Sequence, residues 1–215
     1  MIGDMQKWTP NVAGIIEHAK EIHPKTEIIS RLVSGKVHRS NYETVCIRSR
    51  KLASALEKDG IKKGDVVATL ALNTYRHLEM YYGISGMGAI THTLNFRLHP
   101  EQAVYIINHA EDKIIFVELP FVPILEALKD KLSTVEKYIV LCEESEMPET
   151  QLKNAISYEE YIKDGDENYN WPILDDDAAC ALCYTSGTTG NPKGVLSVSY
   201  THLRAHETRG NIVCR

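Results

Sequence analysis

The sequence predicts an α/β fold in which a largely parallel β-sheet carries helices on its faces. Short apolar runs alternate with helical patterns along the chain, which is the order expected of βαβ units. The run 66–72 is apolar at nearly every position, which is typical of a strand buried on both faces of a parallel sheet. With 43% hydrophobic and 25% charged residues among 215, the composition is that of an ordinary globular protein.

The first part of the chain predicts two helices around a short apolar segment. Residues 11–22 place apolar side chains at helical spacing, and residues 27–29 form a short apolar run. A second helix is predicted to open at Ser40, because Ser40 and Glu43 have the spacing of a capping box, in which a hydroxyl and a carboxylate satisfy free N–H groups. Gly60 is predicted to end this helix.

From the run 66–72 onward the alternation of elements is regular. Thr74 is predicted to cap a helix over 75–87. The further predictions are strands over 89–92, 113–117 and 137–141, and helices over 100–108 and 121–128. Two acidic segments, 143–149 and 175–177, are interpreted as solvated. For 175–177 the alternative is a magnesium site, but clustered carboxylates would repel a triphosphate.

Charge and hydropathy exclude two classes of protein. A formal net charge of −5 and a sequence pI near 6.0 argue against a nucleic-acid-binding protein, because no excess of Lys and Arg is available to replace counterions. No segment approaches the roughly 18 uninterrupted apolar residues of a membrane span. The first residues lack an apolar signal core and include Asp4, so a cytoplasmic protein is expected.

The cysteines do not predict a disulfide framework, because the five of them are odd in number and irregularly spaced. Cys180 and Cys183 fit a C-x-x-C pattern, for which a zinc or redox site is the alternative. No second ligand pair accompanies them, and the surrounding residues are apolar. They are therefore interpreted as small hydrophobic residues of a buried strand.

An apolar run, 178–184, leads directly into a segment rich in glycine and hydroxyl residues, 184–194, of sequence YTSGTTGNPKG. Glycines let successive backbone N–H groups turn toward an anion, hydroxyls add donors or a magnesium ligand, and Lys193 supplies a compact positive charge. The segment therefore predicts a site for a nucleotide triphosphate. It is not a Walker loop, because Lys193 follows Pro192 and precedes Gly194. The alternative is a polar surface turn.

The segment 184–194 resembles the signature of the adenylate-forming superfamily, which contains acyl-CoA synthetases, luciferases and the adenylation domains of peptide synthetases. The segments 64–73, 81–88 and 95–102 are similar to the N-terminal part of medium- and long-chain fatty-acyl-CoA ligases. The resemblance covers about residues 1–196. It implies that residues 1–197 are an incomplete N-terminal part of an AMP-binding (adenylation) domain, and that the C-terminal domain is absent from this chain.

The resemblance implies a ligase that uses ATP and Mg²⁺ to convert a carboxylate into an acyl-adenylate and then transfers the acyl group to coenzyme A. The residues that would wrap the β- and γ-phosphates are Thr185, Ser186, Gly187, Thr188, Thr189 and Gly190. Lys193 would be the catalytic cation, and Thr185 would contact a magnesium-bound oxygen. His77, His92 and His109 are interpreted as structural, since a carboxylate substrate needs no general base.

The implied partners are a fatty acid or another small carboxylate, ATP and CoA, with no nucleic acid. Peripheral membrane contact and a homodimer of the full-length enzyme are compatible with the resemblance. The chain alone is expected to be inactive. The alternatives are another adenylate-forming enzyme, such as an aryl-CoA ligase or a luciferase-like protein, and a non-catalytic nucleotide-binding module.

The segment 198–215 departs from the family pattern. Ser199 stands where the family usually has a histidine, and the segment resembles one reading frame of a transposon-end sequencing adapter. It is therefore interpreted as a non-native tail, and neither His202 nor His206 is given a role. The alternative is a divergent native helix.

Overall fold

The computed structural model describes residues 11–175, 177–185 and 191–199. Its helices are α1 Val12–Ile22, α2 Tyr42–Lys58, α3 Tyr75–Gly86, α4 Pro100–His109, α5 Val122–Leu128 and α6 Tyr158–Lys163. Its strands are β1 Glu27–Arg31, β2 Val37–Asn41, β3 Val66–Leu70, β4 Ile90–Thr93, β5 Ile114–Val117, β6 Lys137–Val140, β7 Ala155–Ser157, β8 Ala179–Thr185 and β9 Lys193–Val198.

Seven of these strands form one sheet, in the order β7-β6-β5-β3-β4-β8-β9. All neighbouring pairs in the sheet are parallel except β8 and β9, which are antiparallel. β1 and β2 form a separate antiparallel ribbon. The predicted α/β fold with a largely parallel sheet is confirmed, and the parallel order places the carboxyl ends of β3 to β8 at one edge.

Helices cover both faces of this sheet. On one face, α2, α3 and α6 pack against alternate side chains of the central strands, among them Val67 and Phe116. On the other face, α4 and α5 pack against Ala68 and Ile115. Successive residues of β3 are thus buried in opposite layers, which is why the run 66–72 is apolar almost throughout.

The predicted helix opening at Ser40 is wrong by one residue. Asn41 caps α2, and its side chain accepts a hydrogen bond from the backbone N–H of Thr44 at 2.9 Å. Ser40 instead belongs to β2, and its hydroxyl is buried without a hydrogen-bond partner among the described residues. The predicted end is confirmed, because Gly60 follows α2 with a φ of +85°, a value that favours glycine.

The other predicted elements agree with the structure within two residues at their ends, and Thr74 is the N-cap of α3, although its side chain makes no capping hydrogen bond. The sequence did not predict β2, β7, β9 or α6. Asp175 and Asp177 are exposed, as predicted for the acidic segment, while residue 176 lies outside the described residues. Within the described ranges, no helix is long and apolar enough to cross a bilayer.

Candidate functional site

The two ends of the predicted phosphate loop lie at the carboxyl edge of the sheet. β8 runs parallel to β4 and ends at Thr185, and its antiparallel partner β9 begins at Lys193. Thr185 and Lys193 thus lie at the edge where open α/β sheets bind their ligands.

Two of the predicted site residues form the base of this hairpin. Thr185 and Lys193 are register partners, and the Thr185 hydroxyl donates to the carbonyl oxygen of Lys193 over 3.4 Å. Both residues are exposed. Within the described part of the chain, no carboxylate lies at ion-pair distance from Lys193, so its ammonium group has no protein counter-ion there. The remaining predicted site residues, 186–190, lie outside the described residues.

One strand position before Thr185, a tyrosine connects the hairpin to the rest of the sheet. The Tyr184 hydroxyl lies 2.6 Å from Nδ1 of His109, at the end of α4. The Tyr184 ring also packs beside the ring of His92 on β4, with 5.2 Å between ring centroids. Sequence reasoning assigned no role to Tyr184, and gave His92 and His109 only a structural one.

His92 is itself held by a buried carboxylate. Its Nδ1 lies 2.8 Å from Oδ2 of Asp112 and 3.0 Å from Oδ1, and both side chains are fully buried. Burial raises the pKa of Asp112, and the hydrogen bond from His92 opposes that rise. His77 is bound differently, with Nε2 3.2 Å from the Thr69 hydroxyl, and burial lowers the pKa of His77.

The C-x-x-C pair does not form a metal site in the described structure. The Cys180 thiol is buried and donates to the carbonyl oxygen of Ser197 over 3.4 Å, whereas Cys183 is exposed, with its sulfur 3.2 Å from the Thr93 hydroxyl. Among the described residues, no group of three or more His, Cys, Asp or Glu side chains could hold a metal ion. The burial of Cys180 agrees with its interpretation as a small buried residue, while Cys183 is more exposed than expected.

A second charged region at the carboxyl edge was not predicted. Glu79 on α3 is fully buried, accepts from Nε of Arg48 at 2.7 Å and accepts from the Tyr158 hydroxyl at 2.9 Å. Glu159 at the start of α6 bridges Arg48 and Arg76, at 3.0 Å and 2.8 Å. We call these five side chains the buried ion network.

The two carboxyl groups of the buried ion network have opposite pKa shifts. Burial raises the pKa of Glu79 to about 7, against the opposing influence of Arg48. Burial also disfavours the ionised form of Glu159, but its hydrogen bonds and ion pairs with Arg48 and Arg76 outweigh burial and lower its pKa. Glu159 is therefore the carboxyl group of the network that favours the ionised form.

A small apolar cavity of about 200 Å³ lies between α1, α3 and β8. Its lining includes Val12, Leu78, Tyr81, Tyr82 and Ala181. Tyr81 and Tyr82 are half-buried there, which agrees with their interpretation as aromatic residues at the rim of the core.

Comparison with known families agrees with this geometry. The model of the family described as AMP-binding enzyme matches residues 16–208, which is most of the chain. The chain belongs to the AMP-binding enzyme family. The adenylate-forming resemblance of the phosphate loop is thereby confirmed.

Curated relatives of this AMP-binding chain are acyl-CoA ligases. It is 44% identical to a medium-chain-fatty-acid CoA ligase of Ectopseudomonas oleovorans, over 94% of this chain and 36% of the relative. It is 42% identical to a 3-methylmercaptopropionyl-CoA ligase of Ruegeria pomeroyi, over 94% of this chain and 37% of the relative. The chain thus spans little more than a third of the length of the curated relatives it matches.

Solved structures show that the fold is shared more widely. A fatty acyl CoA synthetase of Mycobacterium tuberculosis matches with a TM-score of 0.74 at 22% identity, over 89% of this chain and 35% of that one. An anthranilate CoA ligase in complex with anthranoyl-AMP matches with a TM-score of 0.77 at 23% identity, over 88% of this chain and 35% of that one. These likenesses show the fold alone.

Proposed function

We propose that this chain is the N-terminal part of an ATP-dependent fatty-acid:CoA ligase. The observation that carries the proposal is the exposed pair of Thr185 and Lys193 at the carboxyl edge of a parallel sheet. These two residues stand on either side of a glycine- and hydroxyl-rich segment. Family membership supports an adenylating chemistry, and the 44% identity to a medium-chain ligase favours a fatty acid as the substrate.

In the proposed reaction, a carboxylate oxygen attacks the α-phosphorus of ATP to give an acyl-adenylate and pyrophosphate, and the thiol of CoA then displaces AMP. An anion must approach a polyanion, so the barrier is largely electrostatic. Lys193 would neutralise charge on the β- and γ-phosphates, because its ammonium group has no carboxylate partner in the described part of the chain. The Thr185 hydroxyl and the N–H and hydroxyl groups of residues 186–190 would donate to the same oxygens.

Magnesium would be held mainly by the nucleotide. Protein sites of this kind bind Mg²⁺ through substrate phosphates, waters and one or two carboxylates. The described residues offer the exposed Thr185 hydroxyl at the base of the hairpin, and a carboxylate ligand would have to come from outside them. The metal would supply further neutralisation of the triphosphate.

The further assignments belong to the same proposal. Residues 1–197 would be part of the AMP-binding domain, and 198–215 a non-native tail. A cytoplasmic location would give the enzyme access to ATP and CoA. Peripheral membrane contact and homodimer formation would be properties of the complete enzyme. The assignment of 198–215 as a non-native tail is tested by reading the contiguous genomic DNA past the codon for Leu196. A native continuation should replace residues 198–215 and extend for several hundred residues.

The activity is tested with the complete protein that carries this segment. Exchange of radiolabelled pyrophosphate into ATP should depend on the added acid, and we expect octanoate or palmitate to support it better than acetate or benzoate. Preference for benzoate would favour an aryl-CoA ligase. ATP binding without exchange for any acid would favour a non-catalytic module and contradict the proposal. The 215-residue chain by itself should support no exchange, because it lacks much of the family's length and the orientation that remote binding groups supply.

A further inference from the structure

Tyr184 is placed so that it can control the position of Lys193. It is the register partner of Gly194, the residue that directly follows Lys193 on β9. It also precedes Thr185, the register partner of Lys193. Any shift of the Tyr184 backbone would therefore move both sides of the hairpin from which the phosphate loop leaves the sheet.

The Tyr184 side chain is held on three sides. Its hydroxyl is 2.6 Å from Nδ1 of His109, and its ring packs beside the ring of His92. On the third side lies Gly194, where an added Cβ would come within 3.3 Å of Cζ of Tyr184 and 3.1 Å of a methyl group of Leu182. The ring thus fills the space that a side chain at position 194 would need.

The His92 contact is anchored in the interior of the protein, whereas the His109 contact lies at the surface. The His92 ring is completely buried and is fixed by Asp112, as described above. His109 stacks on Tyr105, one helical turn earlier on α4, with 5.2 Å between ring centroids. The anchors come from β4 and α4, both of which precede the hairpin by many residues.

The contact between Tyr184 and His109 is also shorter than the other described side-chain hydrogen bonds of residues 183–185. It measures 2.6 Å, whereas the bond from the Thr185 hydroxyl to the Lys193 carbonyl measures 3.4 Å. Hydrogen bonds weaken as they lengthen toward 3.5 Å. The side-chain contribution to holding this end of the hairpin should therefore come mainly from Tyr184.

We propose that Tyr184 and His109 are positioning residues for the adenylation step, and that their hydrogen bond holds the base of the phosphate loop so that Lys193 meets the triphosphate. This inference rests on the proposed function. It adds two residues, with His92 and Asp112 as their support, to a site otherwise assigned to the loop alone.

The test uses the complete ligase and measures its two half-reactions separately. Tyr184→Phe and His109→Ala each remove the hydrogen bond, and we expect each to slow adenylate formation about threefold to tenfold, the range for the loss of one hydrogen bond. Thiolysis of preformed acyl-adenylate should not change, because pyrophosphate has then left. Compared with His109→Ala, His109→Asn should recover much of the rate, since the asparagine amide group lies near the position of Nδ1 of the histidine.

The double variant Tyr184→Phe/His109→Ala should be no slower than either single variant, because both remove the same bond. Tyr161→Phe is the matched control: it removes a tyrosine hydroxyl that is 2.8 Å from Asp59 and should leave adenylate formation unchanged. Equal losses in both half-reactions, additive effects in the double variant, or an unchanged rate in Tyr184→Phe would each overturn the inference. Absence of acid-dependent exchange in the unmodified ligase would instead contradict the proposed function.

Discussion

Two charged regions lie at the carboxyl edge of the same sheet, and they are built in opposite ways. In the phosphate hairpin, Lys193 is exposed and its described surroundings contain no counter-ion, while the buried ion network encloses Glu79 completely and pairs it with Arg48 at 2.7 Å. An unpaired exposed ammonium group is available to a ligand. A paired buried carboxyl group is committed to the fold. We therefore expect changes in the first region to alter chemistry, and changes in the second to alter stability.

The largest effect should come from Glu79→Ala, because it leaves Arg48 beside an unoccupied buried position and removes the partner of the Tyr158 hydroxyl. Breaking a buried ion pair by removal of one partner destabilises proteins by about 3–5 kcal/mol. Arg48 keeps its ion pair with Glu159, so we expect a loss near the lower end of that range, about 3 kcal/mol, in the free energy of unfolding of the complete protein, measured in urea. The distinction between the regions would fail if Glu79→Ala unfolded at the same urea concentration as the unmodified protein.

Lys193→Ala should have the complementary effect. Loss of one electrostatic stabiliser in a partly dry site should slow adenylate formation by roughly tenfold to a thousandfold. Lys193→Arg should recover only part of the rate, since a planar guanidinium does not reproduce a compact ammonium group. Urea denaturation should be unchanged, because the side chain is exposed.

Thiolysis of preformed acyl-adenylate provides the internal control for Lys193. It should change far less than adenylation, because the phosphates that Lys193 is proposed to neutralise have left as pyrophosphate. Equal losses in both half-reactions would mean that Lys193 supports the structure of the site rather than the charge of the nucleotide.

The next largest effect should be a pH dependence of stability that comes from Glu79 in the buried ion network. The pKa of Glu79 rises from 4.5 to about 7 on folding, so the folded state holds a proton that the unfolded state releases. The associated stabilisation is fully present below about pH 4.5 and is lost as the pH rises through about 7. Since one pKa unit corresponds to about 1.36 kcal/mol, the free energy of unfolding should fall by at most about 3 kcal/mol.

Glu79→Gln isolates this pH effect from the other titrating groups. The amide keeps the shape of the side chain and does not titrate, so the difference in unfolding free energy between the two proteins should change between pH 4.5 and 7. Glu159, whose pKa is lowered, acts in the opposite direction and at lower pH. A constant difference across this range would show that Glu79 is ionised throughout in the folded protein.

The sequence could predict the phosphate loop but neither the strand β9 that follows it nor the buried ion network, for a physical reason. Residues 184–194 are contiguous, so their composition alone indicates an anion site. Arg48 and Glu159 are 111 positions apart, and Tyr184 and His109 are 75 apart. Only the fold brings such residues together, and neither partner leaves a local pattern. The same holds for the short elements, because β7 has three residues and α6 has six, too few to establish a period.

The error at the start of α2 has a similar origin. Ser40 and Asn41 are adjacent residues that both favour the N-cap position. β2 pairs with β1 as far as Asn41, opposite Glu27, and this long-range pairing keeps Ser40 extended. The strand therefore decides which of the two residues caps the helix, and the capping-box spacing of Ser40 and Glu43 is coincidental.

The smallest effect is expected for Thr185→Val, which tests whether the hairpin acts through donors as well as through Lys193. Valine keeps the volume of threonine and removes the hydroxyl, whose only protein bond in the described residues is 3.4 Å long. We expect adenylate formation to slow about threefold to tenfold, as for one lost hydrogen bond, and unfolding to change by less than about 0.5 kcal/mol at this exposed position. Thr185→Ser should restore the rate because it restores the donor. A destabilisation of the protein without a change in adenylation would mean that Thr185, like the buried ion network, stabilises the fold and does not act on the nucleotide.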